Sequence, residues 1–303
     1  ETNIPNRENL SYFGNRNEAH LVYNFALPPL ILYTLLNGMS EKIKQWLMGM
    51  PPAIFGTTYF NFIASHDGIG LRPIEEILTE EEIDMLAKNI EGAGGKVSYR
   101  TKENSQRPYE LNIALFDALK LHVKDGDDSY QEARFISAHT IMLSLEGIPA
   151  FYIHSFLATQ NDYEKVKHSG KNRGINRHQW QMQELEKILL SENHHSRMFY
   201  ELLRLIGIRK RQRAFHPNAT QFTLDLGNSV LALWRQSLDR TQSIFSIHNI
   251  SNQKIAIQLS DLNLIETDNW FDLISGTKLE RSHGKLILTP YQSMWITNKS
   301  SIM

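Results

Sequence analysis

Residues Thr57 to Gly70, TTYFNFIASHDGIG, decide the fold of this chain. The nearly continuous apolar run is typical of a parallel strand that is buried on both faces. The run ends abruptly in His66 and Asp67, and glycines follow at Gly68 and Gly70. In barrels of parallel strands, active sites form where the strands end. The pattern therefore predicts a barrel strand that delivers a carboxylate to an active site.

Further β-α units lie on either side of this strand along the chain. A short strand predicted at His20 to Asn24 leads into a helical segment that begins near Pro28. A second helical period at Gln131 to Leu145 precedes another buried strand at Ile148 to Ile153. A parallel sheet of only three strands would leave two bare edges. We therefore expect an α/β fold, the C-terminal half of a (β/α)8 TIM barrel, with its other strands upstream of the first residue.

Residues 71 to 130 depart from the β-α pattern. They contain an acidic helix capped by Thr79, a Gly-rich turn, a short strand (KVSYR) and a polar loop (TKENSQRPYELN). This length is unusual for a barrel loop and predicts an inserted subdomain. After His216, short alternating strands separated by turn residues predict a small antiparallel β-domain. The expected divisions are barrel segments at 1–70 and 131–217, the inserted subdomain at 71–130, and the C-terminal β-domain at 218–303.

Composition limits the classes of partner. The chain has 303 residues, 32 Lys and Arg against 33 Asp and Glu, and a net charge of -1, so no strong field attracts nucleic acid or an anionic membrane. It has no cysteine, which excludes disulfides, thiolate metal sites and a Cys nucleophile, and fits the cytoplasm. Its longest apolar stretch, Phe25 to Leu36, is shorter than the roughly 20 residues needed to span a bilayer. We expect a cytoplasmic protein with a small neutral or anionic substrate.

Polar candidates for catalysis fall at the predicted strand ends. They are Glu1, then His66 with Asp67, then His154 and the loop that leads to Arg177. Two carboxylates on neighbouring strand ends are the minimum for glycoside chemistry, in which one protonates the leaving oxygen and another attacks or stabilises the sugar cation. A turn cap is the structural alternative for the His-Asp pair. The spacing of these residues alone is therefore compatible both with glycoside chemistry and with a structural role.

Five segments, in order along the chain, carry a family resemblance. They are ETNIPNRENLSYFG at 1–14, AHLVYNFALPPLIL at 19–32, SHDGIGLRP at 65–73, GIPAFYIHSFLATQND at 147–162 and GKNRGINRH at 170–178. Together they resemble the sucrose phosphorylase group of the α-amylase superfamily, glycoside hydrolase family 13. The segments ETNIPNREN, EAHLVYNFALPP and SYRTKENSQRPYELN resemble its glucosylglycerate phosphorylase branch.

The resemblance implies a retaining double displacement without a cofactor or a metal ion. An enzyme Asp attacks the anomeric carbon of an α-glucoside, and inorganic phosphate then takes the glucosyl group as α-glucose 1-phosphate. Glu1 matches the general acid and base, and Asp67 matches the carboxylate that binds ring hydroxyls and stabilises the oxocarbenium-like state. His66 and Arg177 match groups that hold the glucose.

Recognition of the acceptor is implied by the segment RPYEL. Tyr109 and Glu110 match a mobile segment that alternates between admitting the acceptor and admitting phosphate. Sucrose-cleaving relatives carry Asp and Gln where Arg107 and Glu110 stand, so fructose recognition is in doubt and a basic Arg107 suits an anionic acceptor. A solvated polar loop is the alternative for Arg107. The expected donor is glucosylglycerate, and the alternatives are sucrose, sucrose 6-phosphate, or amylase-type hydrolysis or transglucosylation.

One part of the family pattern is missing from the 303 residues. The nucleophile belongs in an Arg-x-Asp motif after the fourth strand, and the chain contains no such motif. Loss of one member of a catalytic group removes most of its rate enhancement. We therefore expect the isolated chain to be inactive and to need the N-terminal half of the same barrel as its partner, with a homodimer left open. A chain that only binds sugar or a partner through Arg177 and His66 is the non-catalytic alternative.

Three other features have structural explanations. His194 and His195 are adjacent on a predicted helix and point in different directions, so a metal site is not expected. The basic run Arg209 to Arg213 ends a helix, where cations are favoured. The tryptophans of the β-domain are expected to pack in its core: Trp234, Trp270 and Trp295.

Overall fold

The structure, a computed structural model, describes residues 2–13, 19–102, 105–121, 128–262, 270–279 and 284–299. The first elements are α1 (Asn6–Ser11), β1 (Leu21–Tyr23), α2 (Leu27–Asn37), α3 (Glu41–Gly49) and β2 (Thr58–Asn61). The strand predicted from Thr57 is present, but it ends at Asn61. Residues 62–68 therefore form a loop beyond the strand, and this loop carries His66 and Asp67.

The inserted residues form a helix packed against a hairpin. The elements are β3 (Ile69–Gly70), α4 (Glu80–Gly92), β4 (Lys96–Lys102), β5 (Ser105–Asn112) and α5 (Leu115–Ala118), and the strand order is β3-β5-β4. Thr79 caps α4, and Glu82 completes a capping box. The polar loop that the sequence predicted is instead strand β5. Strand β5 forms despite its low strand propensity. A tertiary contact with α4 contributes, since Arg107 on β5 forms an ion pair with Glu80.

The β-α pattern resumes after the insertion, and its strands form a parallel sheet. The elements are α6 (Gln131–Ser144), β6 (Ile148–Pro149), α7 (Ile153–Phe156), α8 (Tyr163–Ser169), α9 (Met182–Leu190) and α10 (His194–Lys210). Within the described ranges the parallel sheet has the order β1-β2-β6. Val22 lies opposite Tyr59, and Phe60 lies opposite Ile148. Strand β6 is shorter than predicted: it ends at Pro149, and α7 begins at Ile153.

The last part of the chain forms the antiparallel sheet that its alternating strands predicted. The strands are β7 (Thr220–Leu224), β8 (Val230–Gln236), β9 (Ser243–Asn249), β10 (Ile255–Gln258), β11 (Phe271–Asp272), β12 (Thr277–Lys278), β13 (Lys285–Leu288) and β14 (Ser293–Thr297). In the described residues the order is β12-β11-β14-β9-β8-β7, with β10 and β13 as a separate pair. None of the helices in those residues is long and apolar enough to cross a membrane.

A shared core joins the helix and hairpin of residues 71–118 to the helices beside the parallel sheet. Ile83 of α4 and Leu111 of β5 lie in the same buried cluster as Leu30 of α2 and Phe135 of α6. Burial of apolar side chains is the dominant stabilising term in such a cluster. Strand β5 is therefore held rigidly beside the loop that follows β2.

The tryptophans of the antiparallel sheet pack as expected. Trp295 is fully buried, and its Nε1 donates a hydrogen bond of 2.8 Å to Ser144 Oγ of α6. Trp234 stacks between Phe222 and Phe245. The prediction of core packing is confirmed for these two side chains, and Trp295 also links the antiparallel sheet to α6.

The basic run at the end of α10 is also structural. Arg209 Nε donates to the carbonyl oxygen of Leu143 at 2.7 Å, and its Nη2 donates to that of Gly147 at 3.1 Å. Burial lowers the pKa of Arg209 to about 10. Its guanidinium satisfies carbonyl groups at the C-terminal end of α6 and in the turn before β6.

Candidate active site

The loop after β2 is held in place by hydrogen bonds from a side chain to its backbone carbonyl groups. Asn176, which is buried in a 3-10 helix at Asn172–Asn176, donates to the carbonyl oxygens of Ser65 at 3.1 Å and Asp67 at 3.0 Å. Tyr152 Oη donates to the carbonyl oxygen of Asn176 at 2.8 Å, and burial raises the pKa of Tyr152. The segment around Asn176 therefore fixes where the Asp67 backbone lies.

Two arginines from that segment converge on one oxygen of Asp67. Arg173 Nη1 lies 2.6 Å from Asp67 Oδ1, and Arg177 Nη2 lies 3.2 Å from the same atom. His66 Nε2 is 3.7 Å from Oδ1, and the His66 carbonyl oxygen accepts a bond of 2.6 Å from Arg177 Nε. Among the described residues, no group donates a hydrogen bond to Oδ2. Asp67 is thus held through one carboxylate oxygen while the other stays available.

Arg173 also binds Glu110, which lies on β5 and is buried. Its Nε is 3.1 Å from Glu110 Oε1, and its Nη2 is 2.6 Å from Oε2. Such two-point contacts match the planar guanidinium fork. Hydrogen bonds with Glu110, together with the charges of Glu110 and Asp67, hold the pKa of Arg173 above its ordinary value. The guanidinium therefore bridges the strand-end loop and the hairpin.

Glycine is required where the loop passes Glu110. A Cβ atom on Gly68 would lie 2.5 Å from Glu110 Cγ and 2.8 Å from the Leu111 carbonyl oxygen. Both distances are shorter than any real contact, and the Leu111 atom belongs to a paired strand that cannot yield. The identity of the residue after Asp67 is thus set by the close approach of β5.

We expect Gly68→Ala to lower the free energy of unfolding by about 1–3 kcal/mol, since added atoms in a packed site force backbone shifts. The matched control is Gly207→Ala in α10, where a Cβ would meet nothing within 4 Å and where alanine is favoured over glycine by roughly 0.5–1 kcal/mol. Urea unfolding of both variants measures the two effects. Equal stability of Gly68→Ala and the parent chain would contradict the predicted clash.

A cavity of about 650 Å³ opens beside these groups. Tyr109 and Glu110 line it, and four cationic side chains share its wall: Lys165, Lys171, Arg173 and Arg177. Glu110 is its one acidic side chain among the described residues. Because Arg173 already pairs with Glu110, the remaining positive charge favours an anion in the cavity.

The structure brings together five of the residues that the sequence singled out. They are His66, Asp67, Tyr109, Glu110 and Arg177. Arg107 does not join them, because its Nη2 lies 2.5 Å from Glu80 Oε2 at the base of α4. The pairing of β4 with β5 is irregular between Pro108 and Glu110, which breaks the alternation of side chains along β5, and Arg107 lies on the α4 side of that irregularity.

Glu1 lies outside the described residues. Asn3, two positions further on, lies against Gly70 at the end of the same loop region, since a Cβ on Gly70 would be 2.5 Å from Asn3 Nδ2. The beginning of the described chain therefore contacts the segment that carries Asp67.

His154 is not at a strand end. It lies in α7, and its Nδ1 is 3.2 Å from Thr159 Oγ1. Burial and the nearby charge of His178 lower its pKa. The strand that was predicted to run to Ile153 ends at Pro149, and a helix that begins at Ile153 withdraws His154 from the sheet edge.

Sequence reasoning missed Arg173. The motif GKNRGINRH contains two arginines, and only Arg177 was assigned a role. One signal in the sequence could have identified it. Arg173 lies only four positions before Arg177, which was expected at the site, and both belong to the same motif. Its acidic partners lie 63 and 106 positions away, and no local pattern connects them to Arg173.

The described residues provide no evident metal ligand set. Across these ranges, no three His, Asp or Glu side chains are grouped so that they could hold a metal ion. His194 stacks on Phe116 with ring centroids 4.9 Å apart, and burial together with the charge of His195 lowers its pKa to about 4. The ring of His194 is thus packed against the rings of Phe116 and His195.

Comparison with known proteins finds a similar phosphorylase, although no family model matches the chain. It is 38% identical to the glucosylglycerate phosphorylase of Allomeiothermus silvanus over 298 residues, which are 98% of this chain and 51% of that relative. The chain therefore spans about half the length of this relative.

Solved structures show a matching fold. The sucrose 6F-phosphate phosphorylase from Thermoanaerobacter thermosaccharolyticum has a TM-score of 0.64 at 24% identity, over 76% of this chain and 42% of that one. The α-amylase from H. orenii has a TM-score of 0.57 at 14% identity, over 99% of this chain and 52% of that one. The resemblance that the motifs predicted is therefore confirmed: the chain is similar to part of a glucosylglycerate phosphorylase and shares its fold with part of a sucrose 6F-phosphate phosphorylase.

Proposed function

We propose that this chain carries part of the active site of a retaining α-glucoside phosphorylase. The enzyme would transfer glucosyl from glucosylglycerate to inorganic phosphate and release α-glucose 1-phosphate. The observation that carries the proposal is the 38% identity, over 98% of the chain, to a protein named glucosylglycerate phosphorylase. The cluster around Asp67 supplies groups that fit this chemistry.

Asp67 is the proposed carboxylate that stabilises the transition state. Its Oδ1 is occupied by Arg173 and Arg177, so Oδ2 would accept hydrogen bonds from ring hydroxyls of the glucosyl group. A fixed negative charge beside the anomeric carbon stabilises the positive charge that develops there. Because the carboxylate is already oriented, little reorganisation is needed during the reaction.

Arg177 and His66 are the proposed glucose-binding groups. Arg177 uses Nε on the His66 carbonyl oxygen and Nη2 on Asp67. Its Nη1 has no partner among the described residues and would donate to a sugar hydroxyl. The imidazole of His66 is mostly exposed, so it is accessible to a ligand.

Glu1 is the proposed general acid and base. It would protonate the leaving oxygen and then deprotonate phosphate during the second displacement. The contact of Asn3 with Gly70 supports this role, since it brings the start of the described chain to the loop that carries Asp67.

The nucleophile is proposed to come from a segment outside the 303 residues. No Arg-x-Asp motif occurs in the chain, and the described parallel sheet has β1 and β6 at its two edges. Leu21 on β1 is 44% exposed and Ile148 on β6 is 39% exposed. Unpaired, apolar edges of this kind would be covered by the remaining strands of a barrel.

The cationic cavity favours an acceptor that carries a negative charge. Arg107 cannot supply that charge directly, since Glu80 neutralises it. Lys165, Lys171 and Arg177 line the cavity instead. Glycerate carries a carboxylate and fructose carries none, which is why glucosylglycerate ranks above sucrose. Sucrose 6-phosphate is the second candidate, since its phosphate also bears charge.

The test uses the protein translated from the complete open reading frame that contains this chain. It is incubated with α-glucose 1-phosphate and one acceptor, and phosphate release is measured. We expect release with D-glycerate and much less with fructose, fructose 6-phosphate or water. If phosphate were released equally fast without an acceptor, the activity would be hydrolysis and the proposal would be wrong. If fructose 6-phosphate were the preferred acceptor, the donor would be sucrose 6-phosphate instead of glucosylglycerate.

A further inference from the structure

Arg173 contacts two acids with all three of its guanidinium nitrogens. Nε and Nη2 bind the two carboxylate oxygens of Glu110 at 3.1 and 2.6 Å, and Nη1 binds Asp67 Oδ1 at 2.6 Å. None of the proposed catalytic steps assigns a role to this side chain. Its position between a rigid strand and the proposed stabilising carboxylate calls for one.

Glu110 is the fixed end of this arrangement. It is 3% exposed, and its backbone pairs with Ser98 on β4 and Gly70 on β3. A buried carboxylate is costly without a partner, so the pair with Arg173 is strongly favoured. The hairpin therefore fixes the plane of the guanidinium.

Asp67 depends on this arrangement for the orientation of its side chain. Its side chain is 33% exposed and lies on the loop beyond β2, without the support of a strand ladder. Its side-chain orientation is set by the cations on Oδ1. Arg177 contributes only one contact of 3.2 Å there, because its Nε is engaged with the His66 carbonyl oxygen.

We propose that Arg173 is a positioning residue, which uses Glu110 as its anchor and holds Asp67 by Oδ1 so that Oδ2 meets the glucosyl group. The inference rests on the proposed function of Asp67. Arg173 acts through Asp67 and does not touch the substrate in this role. A lysine at position 173 could bind one of the two acids but could not span both in the geometry of a planar fork.

Steady-state kinetics of the protein from the complete open reading frame test the proposal. We expect Arg173→Ala to lower kcat about 100-fold with KM for the glucosyl donor nearly unchanged, since a misplacement of about 1 Å costs roughly that factor. Arg173→Lys should recover only part of the loss. A kcat equal to that of the parent protein in Arg173→Ala would overturn the proposal.

Arg197 provides a matched control. It binds Glu132 with Nε at 3.1 Å and Nη2 at 2.6 Å, the same two-point geometry as the pair of Arg173 with Glu110, on a helix away from the cavity. Arg197→Ala should leave kcat unchanged. An equal loss of kcat in both variants would show that removal of any such ion pair is sufficient, and would overturn a positioning role.

A thermodynamic cycle separates failure of this inference from failure of the proposed function. Asp67→Asn, Arg173→Ala and the double variant are unfolded in urea, which requires no turnover. We expect the two substitutions to be coupled by more than about fivefold in the unfolding equilibrium constant, since contacting charged pairs couple strongly. Additive effects would overturn the inference even in an active enzyme. Coupling in a protein without phosphorolysis would keep Arg173 as the holder of Asp67 and reject only the proposed function.

Discussion

Replacing Asp67 with Asn is expected to lower kcat for glucosyl transfer by about 10³-fold or more, the loss typical of removing one preorganised electrostatic group. The amide retains the size of the carboxylate but has no negative charge to place beside the sugar cation. It also presents a donor where a carboxylate oxygen would accept a hydroxyl. KM should change less than kcat, because the lost charge acts mainly in the transition state.

The measurement is phosphate release from α-glucose 1-phosphate with D-glycerate by the protein from the complete open reading frame. Asp239→Asn is the matched control, since Asp239 also pairs with an arginine, Arg213, at 2.9 Å but lies on a surface turn of the antiparallel sheet. The control should retain full kcat. If Asp67→Asn kept more than about a tenth of the parent kcat, Asp67 would not be the stabilising carboxylate.

The second large effect concerns the 303-residue chain by itself. We expect it to produce no detectable α-glucose 1-phosphate from glucosylglycerate and phosphate, because no Arg-x-Asp nucleophile occurs among its residues. A retaining displacement cannot form its covalent intermediate without that carboxylate. The binding groups around Asp67 would remain, but binding alone does not break the glycosidic bond.

The same assay, run with the isolated chain and with the protein from the complete open reading frame at equal concentration, checks this expectation. Activity confined to the longer protein would agree with a site assembled from both parts. Turnover by the isolated chain would require a nucleophile among its own carboxylates. Substitution of each carboxylate near the cavity, beginning with Glu110, would then locate it.

Local patterns determined much of the secondary structure. Thr79 ahead of an acidic run predicted the start of α4, and the structure contains reciprocal capping bonds between Thr79 and Glu82. Alternating apolar residues predicted strands such as Val230–Gln236, whose neighbours in the sheet are antiparallel. Such signals depend on residues within a few positions of each other, so they can be read without the tertiary structure.

Strand β5 shows where prediction of secondary structure from the local sequence fails. Its residues, SQRPYELN, are polar and include a proline, which argues against a strand. The strand forms because β3 and β4 supply partners on both sides and because Arg107 pairs with Glu80 of α4. The same pairing removes Arg107 from the cavity, an outcome that residue type alone does not show.

The sequence by itself determined the family resemblance, the parallel β-α units and the identity of most residues that gather at the site, because motifs and periodicity are properties of neighbouring positions. Only the tertiary structure decided how the charges are paired. Arg173 meets Asp67 and Glu110 across 106 and 63 positions. Ion pairs act over a few ångströms, and no sequence period records that the end of β2, the hairpin and the 3-10 helix come within that distance.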